Sequence, residues 1–90
     1  MTDRYTVAFA DRAQRDLKKL DRAVQQRILR TVGLLRDHPR PPSARPLVGH
    51  PDLLRVRVGD YRIIYVVEDA RLVVLVLAAG HRREIYRRLP

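Results

Sequence analysis

The stretch that most restricts the fold is LLRVRVGDYRIIYVV, residues 53–67. Two runs rich in β-branched and aromatic residues flank Gly59-Asp60. A two-residue link containing Gly between such runs closes a β-hairpin. The turn sets the register: Val58 faces Tyr61, Arg57 faces Arg62, Val56 faces Ile63 and Arg55 faces Ile64. Opposed residues of an antiparallel pair share a face of the sheet. One face then carries Leu54, Val56, Val58, Tyr61, Ile63 and Tyr65, and is expected to lie under helices. The other carries Arg55, Arg57 and Arg62. Two arginines directly opposed weaken a sheet. A solvated outer face is the plain reading of such residues; a cluster waiting for an anion is the sharper one.

The rest of the chain builds one small domain, residues 1–90, around this hairpin. RYTVAF (4–9) alternates and reads as a first strand. Residues 10–20 change period, with Ala10, Ala13, Leu17 and Leu20 on one helical face, Asp11 as expected N-cap and Gln14 as its capping-box partner. Asp21 opens a longer helix with the stripe Val24, Ile28, Val32 and Leu35, stopped by Pro39. Residues 39–46, with four prolines, read as a loop. Residues 71–80 are nearly all apolar and predict a strand covered on both faces, and residues 81–90 a short helix or tail. The expected fold is α+β, in the order β-α-α-β-β-β: an antiparallel sheet with two N-terminal helices packed on one face.

Charge narrows the partner. The chain carries 19 Lys and Arg against 10 Asp and Glu, and only Lys18 and Lys19 are lysines. A small domain with net charge +9 calls first for a polyanion, and arginine's planar fork matches phosphate oxygens. There is no cysteine, so neither disulfide nor thiolate chemistry is available. The first residues have no apolar signal-peptide core, and no apolar run approaches the roughly 20 residues of a membrane helix. The expectation is a cytoplasmic protein without a membrane partner.

Two segments, RVRVGDYRIIY and GHRREIY, together with YTVAFADRAQRDLKKL and LRDHPR, resemble the RelE/ParE superfamily of type II toxin–antitoxin toxins, the RelE branch most. The resemblance covers nearly the whole chain. It implies a RelE-like fold and a ribosome-dependent endoribonuclease, or mRNA interferase, that cuts message in the ribosome and blocks translation. It implies a cognate antitoxin as partner, besides ribosome and mRNA, with operator DNA reached only through the antitoxin complex. Matched residue by residue, the family's basic positions fall on Arg55, Arg57, Arg62 and Arg82, and its C-terminal tyrosine on Tyr86. The best-known relatives have lysines where this chain has Arg55 and Arg57. An arginine keeps its proton, so neither residue can be a general base, while both can hold phosphate.

RNA cleavage by the ribose 2′-OH needs a base, charge stabilisation on the phosphorane and an acid for the 5′-oxygen. No Asp, Glu and His are spaced as metal ligands, so neither metal nor cofactor is expected. Arg57 and Arg62 are expected to hold the scissile phosphate, with Arg55 and Arg82 beside them. Tyr86 is placed to stack on a base. His81 is the nearby residue type that exchanges protons near neutrality. His38 and His50 receive no role. Two other readings share the fold: a ParE-like poison of DNA gyrase that cuts no RNA, and a catalytically weak toxin that works mainly within its antitoxin and operator complex.

Overall fold

The computed structural model describes residues 4–85. In chain order they form β1 (Thr6–Phe9), α1 (Asp11–Lys18), α2 (Arg22–Leu35), β2 (Arg45–Leu47), β3 (His50–Val58), β4 (Tyr61–Glu68), a 3₁₀ turn (Asp69–Arg71) and β5 (Val73–His81). The strands make one sheet in the order β1-β5-β4-β3-β2. The expected α+β class and element order hold, with two differences. The sheet is mixed, because β1 runs parallel to β5, Thr6 beside Val73 and Phe9 beside Val76. The proline-rich segment also holds a short extra strand, β2, paired to β3 with Arg45 opposite Arg55. Pro46 hid it from the sequence reading, and its edge position is where a strand tolerates proline.

The main core lies between the helices and one sheet face. Ile28, Val32 and Leu35 form the buried stripe of α2, and with Ala13 they cover Val56, Val58, Ile63, Tyr65, Val74, Val76 and Ala79. Full burial of each large aliphatic side chain contributes about 1.5–3 kcal/mol. The opposite face has its own smaller cluster, Leu47, Ile64, Ala78 and Ile85. The chain after β5 thus returns over the far face to seat Ile85 beside Ala78, while Val73, Leu75 and Leu77 stay half-buried, so β5 is covered on both sides only toward its C-terminal end.

A β-bulge between Ile64 and Tyr65 pairs them with Ala78 and Val76, so Leu77 is the extra residue. Past it, parity in β5 reverses, which keeps Ala79 in the helix-side core and puts Ala78 on the far face. β1 has already ended beside Val76, and Asp16 of α1 accepts the Ala79 amide at 3.2 Å. That amide is one partner of a carboxylate that is 4 % exposed.

The helix ends correct the expected caps. Ala10, not Asp11, is the N-cap of α1; Asp11 is already helical and offers its charge to the first turn. Gln14 turns back to donate to Phe9 O. Asp21 does occupy the N-cap of α2, without a side-chain capping bond. Gln25 closes the junction instead, donating to Leu17 O and Leu20 O at the end of α1. At the exit of α2, buried Tyr65 donates its hydroxyl to Pro39 O at 2.8 Å, and burial pushes that phenol up to about 12.

Candidate functional site

The hairpin register is the expected one: Val58 pairs with Tyr61, Arg57 with Arg62 and Arg55 with Ile64. Gly59 has φ +60°, and Asp60 is not among the positive-φ residues, the pattern of a type II′ turn with Gly first. The pair flanking a two-residue turn exchanges both backbone bonds. Arg57 and Arg62 therefore form the next, non-hydrogen-bonded pair, where Cα atoms approach to about 4.5 Å and side chains crowd most.

The two arginines are held differently. Arg57 is exposed. Arg62 is 6 % exposed, which the sequence reading did not anticipate. Its Nη1 donates to Tyr61 O at 3.2 Å and Gly59 O at 3.4 Å, so the guanidinium is folded onto the turn beside it. Its neighbour across β5 is Gly80, which has no side chain to compete for that space. Arg62 therefore has a part in the turn as well as a place on the basic face.

Arg82 is exposed, and its backbone amide donates to Asp60 O at 2.9 Å. That bond ties the chain after β5 to the same turn. Arg57, Arg62 and Arg82 thus meet at one end of the sheet, and half-buried Arg55 stands two residues along β3 on the face of Arg57. Arg45 of β2 lies opposite Arg55, with its Nη1 engaged by Pro42 O and Ala44 O. Sequence reading missed it because β2 was read as loop.

His81 does not join this set. It pairs with Tyr61, whose side chain packs on the helix-side core, and the two rings meet edge to face at 5.6 Å. Its Nδ1 accepts the Arg83 amide at 3.2 Å. The alternation that puts Arg62 and Gly80 on one face puts Tyr61 and His81 on the other. Tyr86 lies outside the described residues.

Among the described residues, none of Arg55, Arg57, Arg62 and Arg82 is in an ion pair. Three ion pairs between described residues, Arg4–Asp37, Arg40–Asp69 and Arg71–Glu68, gather near the opposite end of the sheet. No three His, Asp or Glu side chains come together among the described residues. A larger, mostly apolar cleft of about 700 Å³ opens between the end of α2 and the proline-rich loop, over Leu34, Leu35, Pro39, Pro41 and Val56. Arg57 sits at its border.

This fold and basic turn place the chain in a known class. Residues 7–86 match the family model for the ParE toxin of the type II toxin–antitoxin system parDE, and the chain belongs to the RelE/ParE superfamily of type II toxin–antitoxin toxins. Several of its relatives carry the RelE name. It is 36 % identical over 81 residues to a RelE-like toxin protein of Escherichia coli, covering 88 % of this chain and 84 % of that one. It is 31 % identical over 86 residues to the mRNA interferase toxin RelE of Escherichia coli K12, covering 91 % and 90 %. In structure it resembles the toxin–antitoxin complex RelBE2 of Mycobacterium tuberculosis, with TM-score 0.79, 31 % identity and coverage of 88 % and 99 %.

Proposed function

We propose that this toxin is a ribosome-dependent mRNA endoribonuclease, restrained by a cognate antitoxin and active in the cytoplasm. The observation that carries the reading is the cross-strand pair Arg57–Arg62 beside Arg82, free of carboxylate partners among the described residues. Similarity to a protein named mRNA interferase supports it, and so does the likeness to a toxin solved with its antitoxin.

In the proposed reaction the 2′-OH of one nucleotide attacks the adjacent phosphorus. The new O–P bond closes a 2′,3′-cyclic phosphate as the 2′-oxygen gives its proton to water, the bond to the 5′-oxygen breaks, and that oxygen takes a proton from water as it leaves. Negative charge grows on the non-bridging oxygens as the phosphorane forms. Arg57 and Arg62 face that charge with fixed donors, and Arg55 and Arg82 add to the local potential. Arginine supplies no base. With His81 turned to the other face, this reading assigns the chain charge stabilisation and positioning and assigns His81 no role. The message and ribosome supply the alignment, an effect worth several kcal/mol when geometry is set in advance. The ParE-like alternative retains one support, the description of the matching family. Purified translation with primer extension separates the two: the present reading predicts discrete cuts in ribosome-bound message, and a gyrase poison leaves the message intact.

A further inference from the structure

The basic end of the sheet continues onto α2. Beyond Arg55, β3 has no outer strand partner among the described residues, because β2 pairs with β3 only between His50 and Arg55. The sheet edge at Val56, Arg57 and Val58 is therefore open. Val56 and Val58 make their backbone bonds inward to β4, so the amide of Arg57 points out of this edge. Above it passes one side of α2, with Arg27, Arg30, Thr31 and Leu34 at the helical spacing of neighbours. These residues, with Arg57, Val58 and Gly59, wall a cleft of about 390 Å³.

Three arginines, Arg27, Arg30 and Arg57, line that cleft. Arg27 lies against the turn: an ideal Cβ on Gly59 would be 2.9 Å from its Nη2. Glycine at this position lets the guanidinium reach the backbone. Among the described residues no carboxylate lines the cleft, and α2 contains neither Asp nor Glu. Among the described residues, Arg27, Arg30 and Arg57 are outside every ion pair. Three forked donors left unneutralised around a concave edge fit a tetrahedral oxyanion.

We propose that this cleft is a second phosphate subsite, holding the phosphodiester of the RNA strand next to the one at Arg57 and Arg62. The proposal rests on the nuclease reading for the identity of the strand. Arg57 is shared by both positions, so the backbone would pass from the far face of the sheet around its open edge to α2. Because the phosphate held here does not react, the subsite strengthens binding of ground state and transition state alike.

The test is a fluorescence titration of a short 2′-O-methyl RNA, which cannot be cut by 2′-OH attack, across a range of salt. Proteins are the wild type, the double variant Arg27→Gln/Arg30→Gln and the single variant Arg27→Lys, each with a thermal melt. Loss of one phosphate contact should make the log–log slope of the double variant shallower by about 0.7, and Arg27→Lys should keep the wild-type slope. In ribosome-dependent cleavage the double variant should raise KM and leave kcat unchanged. An unchanged slope in a folded double variant overturns the subsite, and so does a fall in kcat without a change in KM. Should the double variant lose slope while the wild type cuts no message, the subsite stands and the nuclease reading fails. Should message be cut and the slope not move, the reverse holds.

Discussion

The two ends of the sheet use arginine in opposite ways. Where β4 passes into β5 and α2 ends, each arginine at the three ion pairs has a carboxylate. Arg40 grips Asp69 with two bonds of 3.0 and 2.7 Å, Tyr5 donates to the same carboxylate at 2.6 Å, Arg4 holds Asp37, and Arg71 holds Glu68. These contacts fasten the proline-rich loop and the first strand to the sheet. At the hairpin end Arg57 and Arg62 are set side by side at a cost to sheet stability, with no carboxylate partner among the described residues. Arginine content alone therefore says little about where an anion binds. Neutralised arginines hold the chain together; the uncompensated ones mark where an anion is to come.

The largest test of this contrast falls on Arg62. Arg62→Ala should reduce message cleavage by about 100-fold, equivalent to about 2.7 kcal/mol of transition-state stabilisation. It should also destabilise the fold by about 1–2 kcal/mol, because its bonds to the turn carbonyls are lost. Relief of repulsion from Arg57 works in the other direction and is the smaller effect. A variant that melts higher than wild type would show that the turn contacts carry no weight.

Arg40→Ala removes a cation from the opposite end and should leave cleavage at the wild-type rate. Its mark should be a small fall in melting temperature, as for other exposed ion pairs. If cleavage falls as far as in the hairpin variant, net charge and not place sets activity.

The smallest effect is a pH dependence. The Arg40 and Tyr5 hydrogen bonds hold the Asp69 carboxyl at about 2, below its ordinary value near 3.8. A carboxylate depressed by folding contributes stability that is fully present above the ordinary value and is lost as pH falls toward the folded one. Acid melts of the wild type should therefore lose this contribution between about pH 4 and about pH 2. Asp69→Asn should have lost it already and show a flatter profile over that window. Parallel acid profiles would remove Asp69 from the account of this end.

Much of this contrast is legible in the sequence, and the rest has identifiable causes. The hairpin was readable because Gly59-Asp60 fixes its register and a period of two fixes its faces. The α2 stripe was readable because Val24, Ile28, Val32 and Leu35 keep helical spacing up to a proline. β2 was hidden by the prolines around it. Parallel pairing of β1 with β5 depends on contacts between distant segments and leaves no local mark. Burial of Arg62 was hidden for the same reason: only the folded turn supplies the carbonyls that accept its hydrogen bonds. The side of the sheet taken by His81 follows from its pairing with Tyr61, which the hairpin pattern alone did not extend to β5. The arginines of α2 had one signal, a helix with no acidic residue, and it gained meaning only once the open edge of β3 lay beneath it.

The most direct test uses Arg57, the exposed member of the pair, whose loss leaves no buried group unsatisfied. Wild type and Arg57→Ala are compared in ribosome-dependent cleavage of a defined message, mapped by primer extension, with a thermal melt of each protein. The account predicts at least about 100-fold slower cleavage by Arg57→Ala, with stability within about 0.5 kcal/mol of wild type. A folded Arg57→Ala that cuts message at the wild-type rate would contradict it.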